Sequence, residues 1–441
     1  MSGIKGARND RWAPPPDPDR PNCPYVPGFQ TGIETHRPPT LFGGRLYGRG
    51  ERPDPSGEWL SNATQSEHVL AYPPLETSSP IQPATANLTV IKTISIGNAR
   101  GAQLVACRVA PQDGKPPYSA VAKIYDALYY PFSDYIIRAP IDVVDMADED
   151  YSREAAAYEH LKTRGSTGSF APAYFGSWTL RMPITKDGKT IQRPVRLILM
   201  EHLDGPSMRD MYARNASGPN ATLDGFHLEE EYRLEVLARL MDGLSRQLHM
   251  GVAQRDVAPR NVVVVPPPAA RPSTKPVPRV VLVDYNKSIV YERTKFGQRA
   301  CQKMELPPNP MERYWDESLP DLAGWIPHEW YRTSRLRQEW LTNRFGGEKR
   351  SLYAPIKKTL EFTDEADELN PTTKNVSTYV VADAAGPTAR AISPHRKRTR
   401  PVVLKEVAPP PVMMPGDRYS TWPIQVIPPH LMQNQHPEFD D

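Results

Sequence analysis

Between residues 81 and 362 apolar and polar positions recur with regular periods, and toward either end of the chain they do not. Three short β-rich runs, TVIKTISIG, QLVACRVA and YSAVAKIYD, are separated by Gly and Pro signals and predict an antiparallel meander. A helix is expected next in SREAAAYEHLKTR. It would open at Ser152 as N-cap, behind Asp148, Glu149 and Asp150, which suit the positive end of a helix dipole. WTLRMPITKDGKTIQRPVRLILMEHL reads as two strands joined by a turn at Asp187 and Gly188. Over residues 228–250, Leu237, Met241, Leu244 and Leu248 fall three or four apart and mark one buried helical face. Four consecutive valines, Val262 to Val265, and a second apolar run, Val280 to Val283, predict a short buried hairpin across a Pro-rich excursion. The expected order is β-meander, helix, β-hairpin, then a mostly helical remainder, an α+β arrangement.

Composition narrows what surrounds these elements. The chain has 441 residues, a mean hydropathy of −0.56 and 39% hydrophobic residues, low for a chain of this length that folds throughout. Its 50 prolines are roughly twice ordinary usage and concentrate toward the ends. Clusters such as APPPDPDRPNCPYVPG lack sustained periodicity, so residues 1–80 are expected to be a mostly disordered Pro-rich region. Residues 363–441 are expected to be a disordered Pro-rich tail carrying the basic run PHRKRTRP, and both tails are candidate partner-recruiting segments.

Charge and cysteine usage exclude several classes. Lys and Arg total 54 against 51 Asp and Glu, a formal net charge of +3, so no global field draws the chain toward nucleic acid or an anionic membrane. The short run HRKRTR offers few phosphate contacts; it reads as a solvated run or a nuclear localisation signal. Cys23, Cys107 and Cys301 form no CxxC or metal-ligand pattern and fit free thiols in a reducing compartment. No apolar run of signal-peptide type opens the sequence, and no stretch approaches the roughly 18 apolar residues of a membrane span. The expected location is cytoplasmic and/or nuclear.

The densest polar chemistry lies in GVAQRDVAPRNVVVV, residues 251–265, where Arg255, Asp256, Arg260 and Asn261 directly precede the valines. Phosphoryl transfer from ATP needs a cation on the phosphates, oxygen ligands for Mg²⁺ and a carboxylate that accepts the proton of the attacking hydroxyl. Candidates for each occur in the chain: Lys123 in AVAKIYD, Asp256 and Asn261 in this loop, and Asp284 in VDYN at the end of the second apolar strand. On a helix at 100° per residue, Glu154 shares the face of Tyr158 and Leu161 whereas Glu159 lies roughly 140° away, so Glu154 is the better partner for Lys123.

These stretches resemble the motifs of the protein-kinase-like superfamily, in a divergent, compact form of the fungal type. Gln254, Arg255, Asp256 and Asn261 resemble the loop H-R-D-x-x-x-x-N, Asp284 stands where that family has D-F-G, and AVAK resembles V-A-I-K. The resemblance implies a bilobal fold, with residues 81–203 an N-lobe of antiparallel sheet plus one helix and residues 204–362 a reduced, mainly helical C-lobe. It implies Asp256, Lys123, Glu154 and Arg260 as catalytic residues and Asn261 and Asp284 as Mg²⁺ ligands. Gly97 and Gly101 would form a phosphate cover with Lys123, and the backbone of Glu201 and Leu203 in LILMEHLDG would meet the adenine of ATP. The implied activity is ATP- and Mg²⁺-dependent transfer of the γ-phosphate to a hydroxyl of a protein Ser, Thr or Tyr, or of a small molecule.

Departures from the pattern keep a second class open, a pseudokinase scaffold or nucleotide-binding interaction module. The glycines are spaced G-x-x-x-G, Gln254 replaces His, Tyr285 and Asn286 replace Phe and Gly, and PPNPME is the nearest stand-in for A-P-E. Ser288, Tyr291 and Thr294 lie where an activation segment would be, and the Trp-rich stretch containing Trp325, Trp330 and Trp340 reads as packing.

Overall fold

The computed structural model describes residues 12–77, 83–134, 139–214, 222–266 and 278–363. All elements named below belong to one of the two compact units into which the chain divides. The expectation for the tail and its basic run falls outside the described residues.

Six strands build the platform: β1 (Gln30–Thr35), β2 (Thr85–Ser95), β3 (Gln103–Pro111), β4 (Tyr118–Tyr125), β5 (Tyr174–Lys186) and β6 (Lys189–Met200). They are antiparallel throughout and close on themselves in the order β1-β2-β3-β4-β6-β5. Cross-strand register sets Leu88 opposite Val109 and Val90 opposite Cys107, and Cys107 and Val105 opposite Ala120 and Ala122; these side chains are buried, so one face of each strand fills the barrel interior. The long β5–β6 hairpin turns at Asp187 and Gly188, both with positive φ, as a two-residue loop of this twist requires.

The barrel corrects the bilobal protein-kinase-like fold expected from the motifs. Instead of an open sheet forming one lobe, β1 pairs with β2 along one edge (Ile33 opposite Ala86) and with β5 along the other (Ile33 opposite Leu180), leaving no edge between them. Helices are also sparse. Among the described residues only α4 (Val143–Thr163), α5 (Glu230–Met250) and α7 (Ser334–Phe345) exceed seven residues; α1 (Gly44–Tyr47), α2 (Gly57–Asn62), α3 (Gln65–Ala71) and α6 (Pro310–Tyr314) are short.

Residues 12–77, expected to lack structure, are instead integral to the fold. Low periodicity misleads here because the segment folds against the barrel and α4 rather than around a core of its own. Tyr25, fully buried, donates from its hydroxyl to Asp126 Oδ2 (2.6 Å), and Arg193 of β6 grips the same carboxylate with two bonds of 2.7 and 2.8 Å. This sealed ion pair joins the N-terminal segment, the turn after β4 and the barrel wall; removing either charge would strand the other in the interior.

Helix α4 begins nine residues earlier than Ser152. Asp142 is its N-cap, accepting from the backbone N–H groups of Val144 and Asp145, while Ser152 lies mid-helix with its hydroxyl on the carbonyl of Glu149. Helix α5 closes the expected 228–250 pattern and ends at Gly251 in the left-handed conformation. The loop that follows runs from β9 (Val252–Ala253) into β10 (Val262–Val265), which pairs with β11 (Arg279–Leu282); β12 (Ile289–Val290) pairs back with β9. A two-residue pair, β7 (Ala213–Arg214) with β8 (Leu223–Asp224), completes the strands. Beyond it Trp325 is fully buried and its indole N–H donates to the carbonyl of Arg233 on α5 (2.9 Å), a packing role. No helix among the described residues is long and apolar enough to cross a membrane.

Asp148, on the α4 face turned toward the N-terminal segment, accepts from the backbone N–H of Leu75 (2.8 Å). Burial, partly offset by that bond and by Arg52 and Arg196, pushes its pKa up to about 7 from 3.8. A carboxyl that holds its proton more tightly when folded contributes fully below about pH 4, and that contribution is lost as pH rises toward 7. Asp148→Asn keeps an acceptor for Leu75 and cannot ionise. Urea unfolding should find it more stable than the parent by roughly 2–4 kcal/mol at pH 8, with the difference shrinking toward zero near pH 4.

Candidate functional site

Alternation along β4 decides which side chains leave the barrel. Ala120, Ala122 and Ile124 point inward, so Val121, Lys123 and Tyr125 point outward, onto the face covered by α4. There the Lys123 ammonium contacts Glu154 Oε2 of α4, and reaches Asp284 Oδ1, just beyond β11, at 2.5 Å. Tyr125 donates to the same Glu154 oxygen (2.8 Å), and the backbone N–H of Tyr285 donates to the other (3.1 Å). Glu154 is wholly buried, whereas Glu159 sits at the rim, 3.8 Å from Arg293. Residues 123, 154 and 284 are therefore brought together from three separate elements.

One ammonium facing two carboxylates leaves a net charge of −1. Burial alone would depress the Lys123 pKa, but Asp284 and then Glu154 outweigh it and hold the ammonium protonated. Burial raises the Glu154 pKa, and Lys123 only partly offsets this because it also serves Asp284. The unbalanced negative charge lies on the exposed side, where the Asp284 side chain is about one third accessible.

The loop of residues 254–261 is fixed to the same place. Gln254 donates from Nε2 to the carbonyls of Val283 (3.1 Å) and Asp284 (2.7 Å), and its Oε1 accepts from the backbone N–H of Asp256 (2.8 Å). Val283 N–H donates to the carbonyl of Asn261 (2.9 Å), so both ends of the loop lie against the segment carrying Asp284. Arg255 and Asp284 have φ of 66° and 64°, a left-handed backbone unusual for such residues and held here by the Gln254 bonds. The Asp256 carboxylate receives Arg260 Nη2 on both oxygens (2.8 and 2.9 Å) and Asn261 Nδ2 on one (3.0 Å). It is about one third exposed and thus reachable.

Other residues read from the motifs are placed differently. Gly97 and Gly101 do flank a tight loop between β2 and β3, but the side chain of buried Gln103 holds it, accepting from Gly97 N–H (2.6 Å) and donating to the carbonyls of Gly97 and Gly101. Gly97 N–H is thus turned to Gln103 and not offered outward as a phosphate cover would require. Glu201 has its N–H on the carbonyl of Ala173 (2.8 Å) and its carboxylate in a two-bond pair with Arg279 (2.6 and 2.9 Å), so its own N–H does not face a ligand edge. Leu203 lies half-buried in the irregular stretch after β6. Ser288, Tyr291 and Thr294 are all buried, and Thr294 donates to the carbonyl of Tyr291.

No group of three or more His, Cys, Asp or Glu among the described residues is arranged to hold a metal. Asp284 and Asn261 offer oxygen donors next to an unbalanced negative charge. That set suits a hard cation which takes its other ligands from phosphates and water, so Mg²⁺ fits the chemistry of the site.

Several contributors escaped the motif reading. Tyr125 could have been found from the strand period, two residues beyond Lys123. Gln247 of α5 donates to the buried Tyr285 hydroxyl (2.6 Å), which is how Tyr is accommodated where the resemblance has Phe, and Asn286 donates to Asp150 (3.2 Å). Tyr130, fully buried beneath Gly101, donates to Asp150 (3.3 Å). Asp321 lies near enough that burial, then Asp256, raise its pKa while Arg260 lowers it; nothing in its local sequence signals this.

No protein-family profile matches the chain, and no curated protein matches it. Among solved structures, the crystal structure of the BubR1 kinase domain matches at 14% identity with a TM-score of 0.29, spanning 50% of this chain and 50% of that one. A likeness at that level does not define the fold, which is the barrel described above.

Proposed function

We propose that the chain is a phosphotransferase, moving the γ-phosphate of ATP to a hydroxyl with the help of Mg²⁺. The single observation that supports this reading most is the meeting of Lys123, Glu154 and Asp284 beside the braced loop of Asp256 and Asn261. It rests on the side chains and not on the fold. Lys123 would hold the phosphates, with Glu154, Tyr125 and the Tyr285 N–H fixing its position. Asp284 and Asn261 would hold Mg²⁺, which when bound neutralises charge on the phosphates. Asp256 would orient the acceptor hydroxyl and take its proton, with Arg260 keeping the carboxylate aimed. The acceptor would be a Ser, Thr or Tyr of a protein, or a small molecule.

A second reading, a nucleotide-binding or nucleotide-free interaction module without turnover, is favoured by the loop of Gly97 and Gly101. Its N–H group is engaged by Gln103, and Tyr130 fills the space beneath it.

ATP and Mg²⁺ added to the full chain separate these readings. The phosphotransferase reading expects ADP formation that Asp256→Asn lowers at least about 100-fold. It also expects ATP at 100 times its Kd to stabilise both proteins by about 2.7 kcal/mol, an effect lost in EDTA. Stabilisation without ADP supports the binding module, and neither effect contradicts both nucleotide-dependent readings.

A further inference from the structure

Residues 36–77 contact α4 from Asp142 to Arg153, and the side chain of Tyr47 also reaches the segment beyond Asp284. At the N-terminus of α4, Asp142 is held by Arg52 (2.7 Å) and by His68 Nε2 (2.9 Å). Trp59 donates its indole N–H to His68 Nδ1 (3.3 Å), so His68 carries its proton on Nε2 and donates to Asp142. Farther along the helix, Leu75 N–H meets Asp148, and His36 Nδ1 lies 2.7 Å from the Tyr151 hydroxyl. Arg153, the neighbour of Glu154, donates to the carbonyl of Phe42 (3.3 Å) and lies over the ring of Tyr47 (5.7 Å). Gly43 has φ of 85° and ψ of 153°, a conformation essentially closed to other residues, and a Cβ there would run into Glu149.

Tyr47 carries the contact onward. Its hydroxyl accepts from the backbone N–H of Val290 (2.8 Å), and Lys295 N–H donates to the carbonyl of the adjacent Leu46 (3.2 Å). From the far end of α4, His160 joins the same region, with Nδ1 2.8 Å from Glu292 and Nε2 2.6 Å from the carbonyl of Met250, two residues before β9. Helix α4 is thus clasped between the barrel face bearing Lys123 and a strap of the chain's own N-terminal segment, and that strap also grips the segment that follows Asp284.

We infer that residues 36–77 are a built-in positioning element that sets α4 and the 285–295 segment together, so that Glu154 and Asp284 meet Lys123 only while the strap is docked. Gly43 and Tyr47 are its positioning residues. The inference rests on reading Lys123, Glu154 and Asp284 as the reacting centre, but its physical content is the coupling of two segments, measurable without turnover.

Hydrogen exchange on the full chain tests it. Tyr47→Phe keeps the ring beside Arg153 and removes only the acceptor for Val290. It should speed exchange across residues 285–295 about fivefold and leave β3 and β4 unchanged. Gly43→Ala should speed exchange in both 143–156 and 285–295 about tenfold or more. Where the parent turns over ATP, Tyr47→Phe should lower kcat several-fold with KM changed less than twofold. Unchanged exchange in both segments for either variant, with β3 and β4 as protected as in the parent, would overturn the inference. Increased exchange with no turnover even in the parent would support the strap while removing the phosphotransferase reading. Should Gly43→Ala fail to fold, Tyr47→Phe alone decides.

Discussion

One buried ammonium shared by two carboxylates is the constraint to which the surrounding structure answers. A cation and two anions cannot leave water without partners of close geometry, and Lys123, Glu154 and Asp284 have them only because three elements meet at one point. The outward face of β4 supplies the lysine, the buried face of α4 supplies one carboxylate, and the turn after β11 supplies the other. Tyr125 and the Tyr285 N–H complete the hydrogen bonding of Glu154, so its burial is tolerated. The leftover negative charge faces the exposed rim, on the side of the reachable Asp256.

Rigidity around this point comes from two directions. On one side the closed barrel fixes β4, since each of its six strands has a neighbour on both edges. On the other, Gln254 ties the loop of Asp256 to the backbone at Val283 and Asp284, taking two carbonyls and one N–H in a single side chain. Gln254, which stands where the motif has histidine, is thus a brace between the loop and the segment of Asp284. The left-handed backbone at Arg255 and Asp284 is stored strain that these bonds maintain.

Much of the site could be read from the sequence because its parts sit in strongly patterned elements. The valine hairpin, the helix ending at Gly251, the Asp187–Gly188 turn and the choice of Glu154 over Glu159 all follow from periodicity and turn chemistry. Tertiary relations could not be read that way. Strand β1 lies in a segment whose Pro-rich flanks suggest disorder, yet pairing with β2 and β5 gives it order that no local signal announces, and with it the barrel replaces the open sheet the motifs implied. The start of α4 is likewise not legible locally, because the capping Asp142 is held by Arg52 and His68, distant in sequence. Glycine spacing suggests a phosphate cover at Gly97 and Gly101 and does not reveal that Gln103 claims the loop.

The most direct test of the shared-ammonium account is a double-mutant cycle on the full chain, with Lys123→Met and Glu154→Gln made singly and together and unfolded in urea. Lys123→Met leaves the buried Glu154 carboxylate without its cation, and Glu154→Gln leaves Lys123 with Asp284 as its one carboxylate, so the account predicts a coupling energy of about 2 kcal/mol or more between the two. Effects that simply add, to within about 0.5 kcal/mol, would contradict it.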